Sequence, residues 1–303
     1  MAGRRRTAIA SIAVLLGSLG ATARRPQAQG PPLQPSAQGP VFEGFNIEGI
    51  VWQPDNATVD PRGTWDELGA RQLLVQWTVV DGLAFVPGTD FTPVPRLPDW
   101  KRIAGEPWAQ EVILGLATRY DERRARDEIV ELADISKRLA RLPTPLKVAG
   151  WYFPVEVDPS WTDAPRLPDA LQDLPRPLWI SVYDNTNVGP ETLADWLDGW
   201  LPEDVNVFFQ DGVGVHARDA PVARRYADVL ADRLGKNRLR VIAEAFRPQV
   251  GGGFRSATLE ELRPQLAAYG DHRLFLFEGP HYVSDALVRG LINPRSGPPA
   301  ALP

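Results

Sequence analysis

Carboxylates, amides and aromatic rings gather at the ends of short apolar runs in this sequence. The runs close in Trp52-Gln53, in Gln76-Trp77, in Trp151-Tyr152-Phe153-Pro154-Val155-Glu156, in Tyr183-Asp184-Asn185, in Gln210-Asp211, in Ala243-Glu244 and in Glu278. That mixture suits a sugar. Aromatic faces stack on the apolar C–H face of a pyranose, amides and carboxylates pair with its hydroxyls, and two carboxyl groups cleave a glycosidic bond. The candidate sugar-binding residues are therefore Trp52, Gln53, Gln76, Trp77, Trp151, Tyr152, Tyr183, Asp184, Gln210, Asp211 and Glu278, with Glu156 and Glu244 among the carboxyls available for chemistry. Trp179, Trp196 and Trp200 read instead as packing residues of helices or strand layers, since aromatic residues are core first. His216 reads as a solvated loop residue.

Other chemistries lack their parts. With no Cys there is no thiolate nucleophile, disulfide or zinc–thiolate site, and the three His (His216, His272, His281) show no ligand-pair spacing, so neither a metal nor a cofactor is expected. Gly251-Gly252-Gly253 follows an apolar run but lacks the Lys of a phosphate loop. The formal net charge of −5, with Arg interleaved among Asp and Glu, argues against nucleic acid as a partner. The expected partner is a carbohydrate, and nothing in the sequence sets an oligomeric state.

Positioning such residues requires regular elements. Eight runs read as strands: Phe45 to Gln53, Arg71 to Thr78, Glu111 to Thr118, Leu146 to Val155, Leu178 to Tyr183, Val205 to Gln210, Leu239 to Ala243 and Arg273 to Phe277. Helix signals lie between them, over Arg123 to Leu142, over Thr192 to Trp200 behind Pro190-Glu191, over Ala220 to Leu234, and over Leu259 to Ala268 behind a Thr258/Glu261 capping-box spacing. Strand alternating with helix implies parallel strands, and eight repeats close a (β/α)8 TIM barrel, whose active site sits at the C-terminal ends of the strands. An open doubly wound sheet is the alternative. The segment from Val79 to Gln110 is long, Pro-rich and weakly periodic, and with Trp100 and Trp108 in it reads as an ordered flap over the barrel mouth.

The N-terminus speaks to compartment. Arg4-Arg5-Arg6 precede an apolar run from Thr7 to Ala23 that ends in Ala21-Thr22-Ala23, the layout of a cleaved signal peptide over residues 1–23, with an uncleaved anchor as the alternative. A Pro/Gln-rich linker follows over 24–40, the barrel domain is expected over 41–295, and 296–303 form a tail. No later segment is apolar for long enough to span a membrane, so the expectation is a periplasmic or secreted protein.

Several runs carry a resemblance. Gly-Ile-Val-Trp-Gln-Pro (49–54), Leu-Leu-Val-Gln-Trp (73–77), Val-Ile-Leu-Gly-Leu (112–116), Gly-Trp-Tyr-Phe-Pro-Val-Glu-Val-Asp (150–158), Phe-Phe-Gln-Asp-Gly-Val-Gly (208–214) and Glu-Ala-Phe (244–246) make the chain similar to an uncharacterised bacterial family of glycosidase-like barrels, a domain of unknown function. That family looks like a distant relative of retaining glycosidases with an acid/base Glu after strand four and a nucleophilic Glu after strand seven. Carried over, the resemblance implies Glu156 as acid/base and Glu244 as nucleophile of an exported glycoside hydrolase. The residue before the acid/base, commonly Asn in those relatives, is Val155 here; Asn185, Asn187 or Gln210 would have to take its place. The alternative is a catalytically silent barrel that binds glycan in an envelope or exopolysaccharide system. Structural roles also compete: Glu156 with a rim Arg, Glu244 with Arg247, and Asp211 with its own backbone in the Gln-Asp-Gly turn.

Overall fold

The computed structural model describes residues 44–293, so the leader, the linker and the tail lie outside the described residues. Eight parallel strands close a barrel: β1 (Ile47–Trp52), β2 (Gln72–Val75), β3 (Glu111–Gly115), β4 (Val148–Tyr152), β5 (Leu178–Val182), β6 (Val205–Gln210), β7 (Leu239–Glu244) and β8 (Leu274–Phe277). They stand in sequence order around the ring, and the pairing of β8 with β1 closes it through Ile47↔Leu274 and Ile50↔Leu276. All eight expected strands form; β6 keeps its expected bounds, β7 runs one residue further to Glu244, and the other six are trimmed by one to a few residues.

Strand period sorts the side chains into two cores. Val51, Leu74, Ile113, Tyr152, Trp179, Phe208, Ile242 and Phe275 fill the lumen. Their neighbours Ile50, Trp52, Leu73, Val75, Val112, Leu114, Val207 and Phe209 point outward into the layer under the helices. The lumen is tight: a Cβ on Gly49 would lie 2.3 Å from the Phe275 ring and 2.7 Å from the Gln72 carbonyl, so only glycine fits there. At the floor Glu48 pairs with both Arg240 and Arg273, and the Arg240 guanidinium sits 5.1 Å above the Trp179 ring.

The crossovers are unequal. Between β1 and β2 there is only a 3-10 turn, Trp65–Leu68, and before β3 only the short helix α1 (Trp100–Ile103) and a 3-10 turn. The helix expected from Arg123 to Leu142 starts one residue earlier and breaks at Glu128 (φ −102°, ψ 22°), giving α2 (Glu122–Asp127) and α3 (Ile129–Leu139). After β4 come a 3-10 turn and the five-residue α4 (Leu167–Leu171). Then follow α5 (Pro190–Asp198), α6 (Ala220–Leu234) and α7 (Leu259–Ala268), the last behind the expected capping box: Glu261 N–H donates to Thr258 Oγ1 at 3.3 Å and Thr258 N–H to Glu261 Oε2 at 2.8 Å. Two helices close the domain, α8 (Gly279–Tyr282) and α9 (Asp285–Ile292).

The long Val79 to Gln110 excursion is ordered. Short strands at Val79–Val80, Leu83–Ala84 and Thr92–Pro93 join Ala117–Thr118, just beyond β3, in a small four-stranded sheet at the rim. Its tryptophans do not face the mouth. Trp100 is buried 5.6 Å from Trp52 and donates to the Phe85 carbonyl, and Trp108 is buried edge-on to Trp65 at 4.8 Å. Trp196 and Trp200 meet edge to face at 5.2 Å around the end of α5, as packing residues.

Candidate active site at the barrel mouth

Extended backbone carries Glu156 to the mouth. Past Tyr152 the chain continues along β5, with Val157 N–H donating to the Ser181 carbonyl at 3.0 Å and Tyr183 N–H to the Val157 carbonyl at 2.8 Å. Val155 and Val157 are buried in the outer layer, which turns Glu156 toward the axis. Gln210, at the end of β6 and on the inward parity, donates Nε2–H to Glu156 Oε2 at 2.5 Å. Gln76, Tyr152 and Ser181 line the same cavity of about 30 Å³, room for about one to two waters. Tyr152 donates its hydroxyl to Ser181 Oγ at 2.8 Å.

The opposite wall of that cavity holds Glu122, the first residue of α2, in which Asp121 caps the helix by accepting from Arg124 N–H. Burial and then the charge of Glu122 push the Glu156 carboxyl well above the usual carboxylate range, against the pull of Gln210 and Arg126. Burial also raises Glu122, with Arg126 working against it. Arg126 itself donates Nε–H to the Glu156 carbonyl at 3.1 Å and stacks on Trp161 at 5.6 Å.

Glu244, the last residue of β7, points inward as the period requires, but it is 2% exposed and roofed. Val215 N–H donates to its Oε2 at 3.2 Å, and the chain passes so close that a Cβ on Gly214 would lie 2.6 Å from the Glu244 Cβ. Only glycine lets that loop lie there. Burial and the nearby Asp211 charge push the Glu244 carboxyl up to about 8. Arg247 spends its guanidinium on the Phe246 carbonyl (2.6 Å), the Glu244 carbonyl (3.2 Å) and Gln265 Oε1 (2.7 Å), so its contact with Glu244 is with backbone, not carboxylate. Between the two glutamates Tyr183 lies in the field of both: burial, then Glu244 and Glu156, raise its hydroxyl above the ordinary phenol range.

Six of the expected sugar contacts lie elsewhere, and strand parity is the reason for five. Trp52 points outward, fully buried, and donates Nε1–H to the Thr58 carbonyl at 3.0 Å. Trp77 points outward into the small sheet, 5.8 Å edge-on to Tyr120, and donates to the Pro54 carbonyl. Trp151 lines an apolar hollow of about 240 Å³ with Leu114, Leu116, Leu139 and Val86, on the outside of the barrel. Asp184 accepts from Tyr226 (2.7 Å), Val188 N–H (3.1 Å) and Gly189 N–H (3.3 Å), fixing the entry to α5 against α6. Asp211 accepts from Tyr269 (2.7 Å), Gln265 (2.6 Å), Val213 N–H (3.1 Å) and Glu244 N–H (3.3 Å), a brace between β6, β7 and α7.

The sixth, Glu278, is lost to a turn. Fully buried, it caps α8, with Gln53 N–H on Oε1 at 2.8 Å and His281 N–H on Oε2 at 3.0 Å, and His281 Nδ1 also bonds Oε2. His281 Nε2 faces Asp55 Oδ2 at 3.6 Å. Hydrogen bonds to Asp55 and Glu278 push the imidazole up to about 10, while Asp55, despite partial burial, is held at about 2 by His281 and Thr58. Gln53 contributes its N–H to this structure from the inward parity of β1.

Glu122 and His281 escape a reading confined to strand ends. In a β/α barrel each helix begins at the mouth, so an acidic first residue of α2 was the available signal; for His281 it was the three-residue spacing from Glu278. The substitutes suggested for the Asn before the acid/base are only partly placed for it. Asn187 Oδ1 holds Arg218 at 3.0 Å, Asn185 is exposed, and Gln210 alone reaches Glu156. His216 is exposed on the loop after β6. Among the described residues no His, Asp and Glu side chains group in a way that would hold a metal ion, and no helix is long and apolar enough to cross a membrane.

A Bacteroides thetaiotaomicron structure provisionally named an α-L-fucosidase superposes on 88% of this chain and 97% of its own with a TM-score of 0.59, at 18% sequence identity. What the two share is the fold, an eight-stranded β/α barrel. This barrel overlays less well on a chitinase from Chromobacterium violaceum, with a TM-score of 0.44 at 12% identity over 81% of this chain and 99% of that one. By sequence, the uncharacterized protein YbcH of Escherichia coli K12 is 28% identical over 221 residues, 62% of this chain and 72% of that protein. No known family profile matches the chain, so its kinship with the domain of unknown function stays a resemblance.

Proposed function

We propose that this barrel is an exported glycoside hydrolase of the retaining kind, acting on an oligosaccharide or polysaccharide with Glu156 as general acid and Glu244 as the nucleophile. One observation carries the reading. Glu156 lies just past β4, turned to the axis and fixed by Gln210, with its carboxyl pushed well above the usual carboxylate range by burial and an acidic neighbour. A carboxyl whose hold on its proton is strengthened in this way suits the general acid that a departing glycosidic oxygen needs. Gln76 and Tyr152 line the cavity beside it, and Gln210 donates to its carboxyl. The leader expected over residues 1–23 supports export.

Glu244 supports a second reading, the silent glycan-binding barrel. A carboxyl pushed up to about 8 and capped by the 214–215 backbone is a weak nucleophile until it ionises, a change that positive charge developing on the sugar ring would favour. Val155 in place of Asn points the same way. Release of reducing sugar from bacterial exopolysaccharides and plant glucans by the mature protein, Glu156→Gln and Glu244→Gln separates the two. Hydrolysis by the wild type with a loss of about a hundredfold or more in both variants supports the hydrolase. Binding without cleavage across the panel supports the silent barrel and removes both catalytic roles.

A further inference from the structure

The mouth contains a carboxyl that the pairing of Glu156 with Glu244 leaves unused. Glu122 and Glu156 line one small cavity with Gln76, Thr118, Tyr152 and Ser181, close enough that each carboxyl feels the charge of the other. Two like charges confined in so small a buried space repel, which favours a proton on one of the two carboxyls. The surroundings fit one shared proton. Arg126 approaches Glu122 Oε2 at 3.8 Å and also holds the Glu156 carbonyl, so a single positive charge stands beside the pair, while Gln210 occupies Glu156 Oε2. Asp158 and Asp121 add negative charge nearby, and Tyr152 lines the same space. Arg119, although it lines the cavity, is committed to Glu128 (2.6 Å) and Glu131 (3.0 Å). Gln76 bonds Tyr152 and leaves its buried Oε1 without a donor at this cavity, an acceptor suited to a sugar hydroxyl.

We propose that Glu122 and Glu156 are one carboxyl pair holding a single proton, with Glu122 the positioning residue that keeps that proton on Glu156 until it is transferred. The pair exists whether or not the barrel cleaves glycans; its catalytic consequence rests on the hydrolase reading. In that reaction the ionised Glu244 carboxylate attacks C1 and the C1–O bond breaks with its electron pair staying on the glycosidic oxygen, which takes the proton from Glu156; the leaving sugar departs as an alcohol and the remaining sugar stays as an ester on Glu244. The pair is then doubly negative. It recovers a proton from the water whose oxygen attacks C1 as the ester bond to Glu244 breaks, so glycoside plus water become two sugars with Glu244 ionised again and the pair restored.

Carboxyl ¹³C NMR titration of the full-length protein labelled at Glu tests this without a substrate. In the wild type Glu122 and Glu156 titrate in two linked steps. Glu122→Gln removes the neighbouring charge and lowers the Glu156 midpoint by at least about 1 pH unit, the scale that defines coupled sites, and Glu122→Asp restores most of the shift. If Glu122→Gln does not fold, Glu156→Gln reads the reciprocal fall at Glu122. A Glu156 midpoint unmoved by Glu122→Gln, or a Glu122 midpoint unmoved by Glu156→Gln, overturns the pair. Where the wild type hydrolyses a glycan, the alkaline limb of its kcat/KM profile moves to lower pH by the same amount in Glu122→Gln, and a limb that stays put overturns the catalytic role. Linked titration with no hydrolysis on any glycan sinks the hydrolase and leaves the pair standing.

Discussion

Glu156 and Glu278 are both glutamates at the C-terminal ends of barrel strands, both are pushed upward by burial, and they stand in opposite kinds of company. Glu278 receives two backbone N–H groups and an imidazole that is itself held by Asp55. Its lone pairs are taken by groups the fold needs anyway, tying the β1 loop to α8. Glu156 has one amide donor, and its other near neighbour is a second acid. Burial alone does not mark a carboxyl for chemistry. What separates the two is whether the protein has already supplied the donors, because a carboxyl with its donors in place has little left to offer a substrate.

That contrast breaks most easily at Glu278. Replacing it with Ala takes the acceptor away from the Gln53 N–H, the His281 N–H and the His281 ring, and unfolding in urea should show a loss of about 3–5 kcal/mol, two or more hydrogen bonds to a charged group at about 1.5–3 kcal/mol each. Glu156→Gln keeps the shape and a hydrogen-bonding group, and the same measurement should move by less than about 1 kcal/mol. Equal losses would mean that both glutamates are structural. Glu244 sharpens the comparison through pH. Its folded carboxyl titrates near 8 against an ordinary 4.5, so the folded state binds the extra proton; its stability contribution is full below about 4.5 and is lost as pH rises through 8. Glu244→Gln has no such loss, so its unfolding free energy relative to wild type should rise by on the order of 2–4 kcal/mol between pH 5 and pH 9. A constant difference across that range would show that Glu244 ionises normally. The smallest effect belongs to Trp151, on the outside of the barrel: Trp151→Ala should leave affinity for any glycan bound at the mouth within about twofold by calorimetry, whereas Tyr183→Ala weakens it by about 1 kcal/mol or more, the value of a lost ring contact.

The barrel was legible because its signal repeats. Each β-branched run is bounded by turns or caps, and eight of them in alternation with helices leave few topologies. The site was legible only in part, because strand ends were read as clusters when they are alternating faces. Once Val51, Leu74, Tyr152, Phe208 and Ile242 are known to point inward, Gln53, Gln76, Gln210 and Glu244 must follow them, and Trp52, Trp77, Trp151 and Asp211 must not. Nothing in a single run says which parity faces the lumen, since both faces of a parallel barrel strand are apolar. Asp211 did carry a local hint: its bond to Val213 N–H is the Asx turn that the Gln-Asp-Gly run favours. The rim sheet was illegible because strands of two residues have no period to read. Glu122 was missed because the helix was begun at Arg123, one residue inside its true start.

The ion cluster at the floor has a consequence for traffic. With Glu48 clasped by Arg240 and Arg273 beneath Trp179, and with Phe208 and Phe275 packed above it, the cylinder is stoppered at one end. It is a cup and not a pipe. Whatever reaches Glu156 arrives over the rim and must leave over the same rim, so the last fragment to enter is the first that can get out.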